Sequence, residues 1–142
     1  MVQNYRGKIS GPLLDRIDIQ LDVQPVKVEE LQHLRVGESS AEIRKRVIAA
    51  REIQRRRFAK IPGVHCNAEM RAKDLAGCCN LDAEAQKRMR NVITELDLSA
   101  RAYERVLKVG RTIADLAGSE TVLDEHIYEA SSYRSLDRSY WG

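Results

Sequence analysis

The sequence predicts a mainly α fold: a small helical bundle preceded by a long basic helix and one isolated strand. Three observations predict it. From residue 64 onward, apolar residues recur every three or four positions between short loops, the pattern of amphipathic helices that share one core. Residues 17–23 are the one stretch that alternates apolar and polar with the period of two of a half-buried strand. Capping signals, Ser39-x-x-Glu42 and Ser99 among them, stand just ahead of the helical stretches.

Taken in order, residues 1–16 read as irregular, punctuated by Gly7, Gly11 and Pro12. Ile17, Ile19, Leu21 and Val23 would share the buried face of the strand, which Pro25 ends. A lone strand cannot satisfy its own backbone groups, so it needs strands from outside this chain or a two-stranded ribbon with the N-terminal segment. Residues 28–32 suggest a turn or two of helix closed by Gly37. The capping box at Ser39 introduces a helix over about residues 41–60, with Ile43, Val47, Ala50 and Phe58 as a thin apolar stripe. Pro62-Gly63 breaks it, a loop covers residues 61–69, and a short helix over 70–78 has Asn67 as its cap. Asn80 or Asp82 starts a helix to about residue 96 on Ala85, Met89, Val92, Ile93 and Leu96. Ser99 caps the next, which turns Ala102, Val106, Val109, Gly110, Ile113 and Leu116 to one side and stops at Gly118. Thr121-x-x-Asp124 opens the last, residues 122–133, with Ile127 and Ala130 inward.

The 142 residues suit one domain, and 43% are hydrophobic, just under the ~45–50% usual for soluble domains. At 5% aromatic, a large aromatic-lined ligand pocket is not expected. Apolar runs reach three or four residues, far short of the ~18 of a membrane span, and no basic-plus-apolar leader opens the chain. A cytoplasmic protein is expected. Cys66, Cys78 and Cys79 are an odd count that fits reduced thiols. A metal site would have to recruit His65 and these cysteines, but their order lacks the C-x2–4-C knuckle of zinc sites, so no metal is expected and the cysteines are assigned to small buried positions near helix ends.

A catalytic constellation is missing too. The one Gly-Lys pair, Gly7-Lys8, lacks the rest of a phosphate-binding loop, and there is no H-E-x-x-H or G-x-S-x-G. His33, His65 and His126 fall in separate segments and read as surface or helix-end residues. By itself the chain is expected to catalyse nothing.

Arginine in particular company is what stands out. The formal net charge is +3, yet residues 42–60 hold eight basic residues against Glu42 and Glu52. Arg51, Arg55, Arg56 and Arg57 are candidates for a face toward nucleic acid or a neighbouring subunit; the alternative is a solvated helix whose arginine stems cover apolar surface. Arg16 stands just before the strand, where a guanidinium is held yet can point outward. Arg101 follows the Ser99 cap, where the helix N-terminus adds positive potential suited to an anion. Each could equally be a surface arginine paired to a nearby carboxylate such as Asp15 or Asp97.

At these residues the chain resembles a family. Ile9-Ser10-Gly11-Pro12-Leu13-Leu14-Asp15-Arg16-Ile17-Asp18 is similar to the segment that ends the α/β core of magnesium-chelatase-like AAA+ ATPases, in particular the ComM competence-protein family. Leu98-Ser99-Ala100-Arg101-Ala102-Tyr103-Glu104-Arg105-Val106-Leu107-Lys108-Val109-Gly110-Arg111-Thr112-Ile113-Ala114-Asp115-Leu116 looks like its lid helix, and Glu129-Ala130 to Tyr133-Arg134 fits its closing helix. Gly110 departs from the alanine usual there. The resemblance implies that residues 1–26 are the tail of the α/β core, 27–63 connecting helices, 64–138 the helical lid and 139–142 a tail. Arg16 would then be the arginine finger offered in trans to the γ-phosphate of a neighbouring subunit's ATP, and Arg101 the sensor-2 arginine, acting in cis or in trans. ATP and Mg²⁺ would bind an upstream AAA+ core of the same protein, in a homohexamer that couples hydrolysis to branch migration of DNA in recombination and natural transformation. A magnesium-chelatase subunit of tetrapyrrole synthesis and a free-standing basic nucleic-acid-binding module are the competing readings.

Overall fold

The computed structural model describes residues 13, 16–21, 23–26, 37–96 and 98–134. Within them lie five α-helices: α1 (Ser40–Phe58), α2 (Ala72–Cys78), α3 (Ala83–Leu96), α4 (Ala100–Leu116) and α5 (Asp124–Ser132), with a 3₁₀ turn at Asn67–Glu69. The expected opening over residues 1–12, the turn at 28–32 and the tail at 139–142 lie outside the described residues.

Local chemistry sets the helix ends. Ser39 Oγ accepts the Glu42 N–H of α1 at 3.3 Å, and Ser99 Oγ accepts the Ala102 N–H of α4 at 3.2 Å. Asp82, rather than Asn80, starts α3, its Oδ1 accepting the Ala85 N–H at 2.7 Å. Two caps differ from expectation. Asn67 does not cap α2; Asp74 reaches back to the Arg71 N–H at 2.9 Å instead. Thr121-x-x-Asp124 does not open α5 either, because His126 Nδ1 accepts the Leu123 N–H at 3.0 Å and Asp124 is occupied by Arg88. At the far end of α4, Gly118 has φ of 69°, its N–H donating to Asp115 at 3.1 Å and the Ser119 N–H to Ala114 at 2.8 Å. This left-handed turn satisfies two carbonyls that the helix leaves open, at a conformation only glycine adopts cheaply.

Helix α4 is the axle of the bundle, packed by α1, α2, the 3₁₀ turn and α5, while α3 packs on α5. At Gly110 it lies close against α5, where an added Cβ would stand 2.9 Å from Ile127 Cδ1. The Val122 N–H donates to the Asn80 carbonyl at 2.8 Å and the Asp82 N–H to the Val122 carbonyl at 3.3 Å. This short parallel bridge launches α3 and α5 from one clamp. Phe58, Val64, Met70, Leu75, Met89, Val106 and Ile127 lead a continuous core.

Helix α1 joins this core by its C-terminal half alone. Ala50, Gln54 and Phe58, one turn apart, are its buried residues, whereas Ile43 and Val47 of the expected stripe are 43% and 47% exposed. The expected strand is not seen among the described residues either. The described residues of 17–26 carry no strand, and Ile17, Ile19, Leu21 and Val23 stay largely exposed. The polar residues between them have the better partners: Asp18 pairs with Arg105, and the Gln20 N–H donates to the Tyr133 carbonyl at 2.9 Å.

Candidate functional site

The candidate residues are all arginines, and the structure sorts them. Arg55 and Arg56 are exposed on α1 and share one carboxylate: Arg55 Nε lies 2.9 Å from Glu52 Oε2 and Arg56 Nε 3.1 Å from Glu52 Oε1. The Arg55 hydrogen bond, followed by that from Arg56, holds the Glu52 carboxyl below its ordinary value. Arg51 is exposed and donates to Gln54 Oε1 at 3.2 Å. Exposed pairs of this kind contribute little to stability, so a phosphate could readily compete for these guanidinium groups.

Arg57 belongs to a different environment. Its side chain is 16% exposed and turned inward, with Nη1 donating to Asp115 Oδ2 at 2.7 Å and to Asn67 Oδ1 at 2.9 Å, and Nη2 to Asp115 Oδ1. Asn67 Nδ2 donates to the same carboxylate at 2.8 Å, and Arg111 Nε adds a bond at 3.1 Å. Arg111 itself, 1% exposed, spends its other nitrogens on the Glu120 carbonyl at 2.7 Å and on that of Ser119. Burial alone would raise the Asp115 carboxyl, but the bonds from Arg57 and Asn67 and the charge of Arg111 hold it below its ordinary value. Burial pulls the Arg111 guanidinium down, against the Asp115 charge. Arg57 is thus a tie between α1 and α4 and leaves the exposed basic face.

Arg16 and Arg101 are exposed. The Arg16 N–H closes a turn onto the Leu13 carbonyl at 3.0 Å, just ahead of the segment held by the bundle. Arg101 lies in the first turn of α4 behind the Ser99 cap, in the positive potential of that end, and forms no ion pair with a described residue. Between the two runs a contact that sequence reasoning missed, Asp18 with Arg105, which joins the segment of Arg16 to the helix of Arg101.

Other chemistry is muted. Of the three cysteines expected to be buried, only Cys79 is, Cys66 and Cys78 being half-buried; burial pushes the Cys79 thiol up to about 11, so it stays protonated at neutral pH. His126 is a helix-end residue as expected, though buried rather than on the surface. No group of three or more His, Cys, Asp or Glu among the described residues is placed to hold a metal ion. No described helix is long and apolar enough to cross a membrane.

Fold and site together define a helical-bundle domain that presents arginine at one capped helix end, on one leading segment and along one helix face. Residues 37–134 match the family described as magnesium chelatase, subunit ChlI C-terminal, and residues 1–31 match magnesium chelatase, subunit ChlI. The chain belongs to the magnesium chelatase ChlI C-terminal family. Among curated relatives, the uncharacterized protein YifB of Salmonella typhimurium is 40% identical over 94% of this chain. Competence protein ComM of Haemophilus influenzae is 38% identical over 96%, and the uncharacterized protein Rv2897c of Mycobacterium tuberculosis 32% over 93%. In each case the chain spans about a quarter (26%) of the relative's length.

Proposed function

We propose that this chain is the C-terminal region of a ComM-like AAA+ ATPase, in which residues 1–26 complete the α/β core, 27–63 connect and 64–138 form the lid. Arg16 acts as the finger on the γ-phosphate of ATP held by a neighbouring subunit of a homohexamer, and Arg101 as the sensor-2 contact to nucleotide phosphates. A guanidinium placed where charge develops on the transferred phosphoryl group contributes ~10³–10⁵ in rate. ATP and Mg²⁺ belong to the core; this chain supplies cations to the phosphates and no described carboxylate cluster for the metal. Hydrolysis is coupled to remodelling of DNA, with Arg51, Arg55 and Arg56 as the face toward nucleic acid or the adjacent subunit.

The observation that carries this reading is the family likeness on both sides of the molecule, residues 1–31 and 37–134 in chain order, each holding one of the two arginines. The exposure of both side chains supports it. Arg16→Ala in the longer protein is expected to lower ATP turnover about 10³-fold or more while nucleotide affinity persists. Arg101→Ala is expected to weaken both. Wild-type turnover in Arg16→Ala would reject the assignment. The family's description keeps a second reading, a subunit driving Mg²⁺ insertion into a porphyrin; stimulation of turnover by DNA, and not by chelatase partner subunits, separates the two.

A further inference from the structure

The alternating segment has inverted its expected role. Its apolar side chains stay largely exposed, Ile19 and Leu21 beside a groove that Val109 and Ile113 also line, and its polar positions grip the bundle. Asp18 pairs with Arg105 in α4, Gln20 is 8% exposed with its N–H on the Tyr133 carbonyl at 2.9 Å, and Arg134, 1% exposed, donates from Nη1 to the Ile17 carbonyl at 2.7 Å. A charge pair, a backbone bond and a buried guanidinium thus fix consecutive points of one short segment, on α4 and on the turn that ends α5.

Its place in the chain matters. Asp18 follows Arg16 by two residues, and Arg105 follows Arg101 by four, one helical turn along the same side of α4. We propose that the Asp18–Arg105 ion pair, seated by Arg134 on the Ile17 carbonyl, is a positioning clasp that sets where Arg16 stands relative to Arg101. The proposal rests on the reading of those two arginines as ATP-directed. Asp18, Arg105 and Arg134 are positioning residues: they touch no phosphate, and they hold the segments that do. Part-exposed as it is, with side chains 46% and 25% accessible, the pair adds little to folding. Its removal acts on geometry.

The test uses the longer protein with Asp18→Asn, Arg105→Gln and the charge swap that combines Asp18→Arg with Arg105→Asp. Each single change is expected to lower kcat for ATP about threefold to fivefold with KM unchanged, and the swap to recover most of the loss. In the same variants, hydrogen exchange should quicken at the Gln20 amide and stay unchanged through the middle of α4. Wild-type kcat in Asp18→Asn, whose residue lies outside the bundle and cannot unfold it, would overturn the clasp. So would a swap that recovers nothing. Arg16→Ala and Arg101→Ala run alongside: if they are inactive while Asp18→Asn turns over normally, the clasp alone fails. If they too turn over normally, the reading beneath it fails.

Discussion

Asp115 gathers Arg57, Asn67 and Arg111 onto one carboxylate that water does not reach. Removing it as Asp115→Ala leaves two inward-turned guanidinium groups without their counter-charge, a loss of about 3–5 kcal/mol that urea unfolding followed by circular dichroism would measure. The same site sets an acid limit. The folded state holds this carboxyl below its ordinary 3.8, so the unfolded chain binds its proton first. The stabilisation is therefore complete above the unfolded value and drains as pH falls through the lower folded one, and Asp115→Asn should flatten stability across that acid range. Part of this was legible. Arg111 and Asp115 stand four apart on α4, a spacing that lets them pair, though nothing in the spacing says that the pair is buried. That Arg57, and not Arg55 or Arg56, turns inward depends on where α1 crosses α4, which no local pattern encodes.

At the scale of elements, the five helices were readable because each carries its own period and most carry their own cap. The alternating segment carries no strand among its described residues, since a strand needs a partner strand to pair with. Alternation says which side chains share a face and nothing about what that face meets. Asp18 and Gln20 found partners in the bundle, while Ile17, Ile19, Leu21 and Val23 stay largely exposed, Ile19 and Leu21 beside a groove that Val109 and Ile113 of α4 also line. Helix α1 shows the same limit, since its stripe is real but only the half from Ala50 to Phe58 reaches the core. Its exposed arginines carry a prediction of their own. Arg55→Glu with Arg56→Glu in the longer protein should weaken single-stranded DNA binding about tenfold or more and lessen its salt dependence, leaving the melting temperature within a few degrees. Arg57 stays untouched in this test, because its loss would report on Asp115 instead. Unchanged affinity would assign the face to a protein neighbour.

At the scale of the whole molecule, the chain spans about a quarter of the length of its relatives, and the roles proposed for Arg16 and Arg101 concern a nucleotide site of the longer protein. The two family matches divide near the start of α1, so the segment bearing Arg16 and the bundle bearing Arg101 fall under two different family descriptions. Asp18 with Arg105, and Arg134 with the Ile17 carbonyl, are contacts between those two regions. Subunit mixing tests the central claim most directly. The longer protein carrying Arg16→Ala would be combined with subunits whose own nucleotide site is disabled but whose Arg16 is intact. The account predicts that the mixture hydrolyses ATP well above either variant alone, since an intact guanidinium then faces an intact site across a subunit boundary. A mixture no faster than its two components would contradict it.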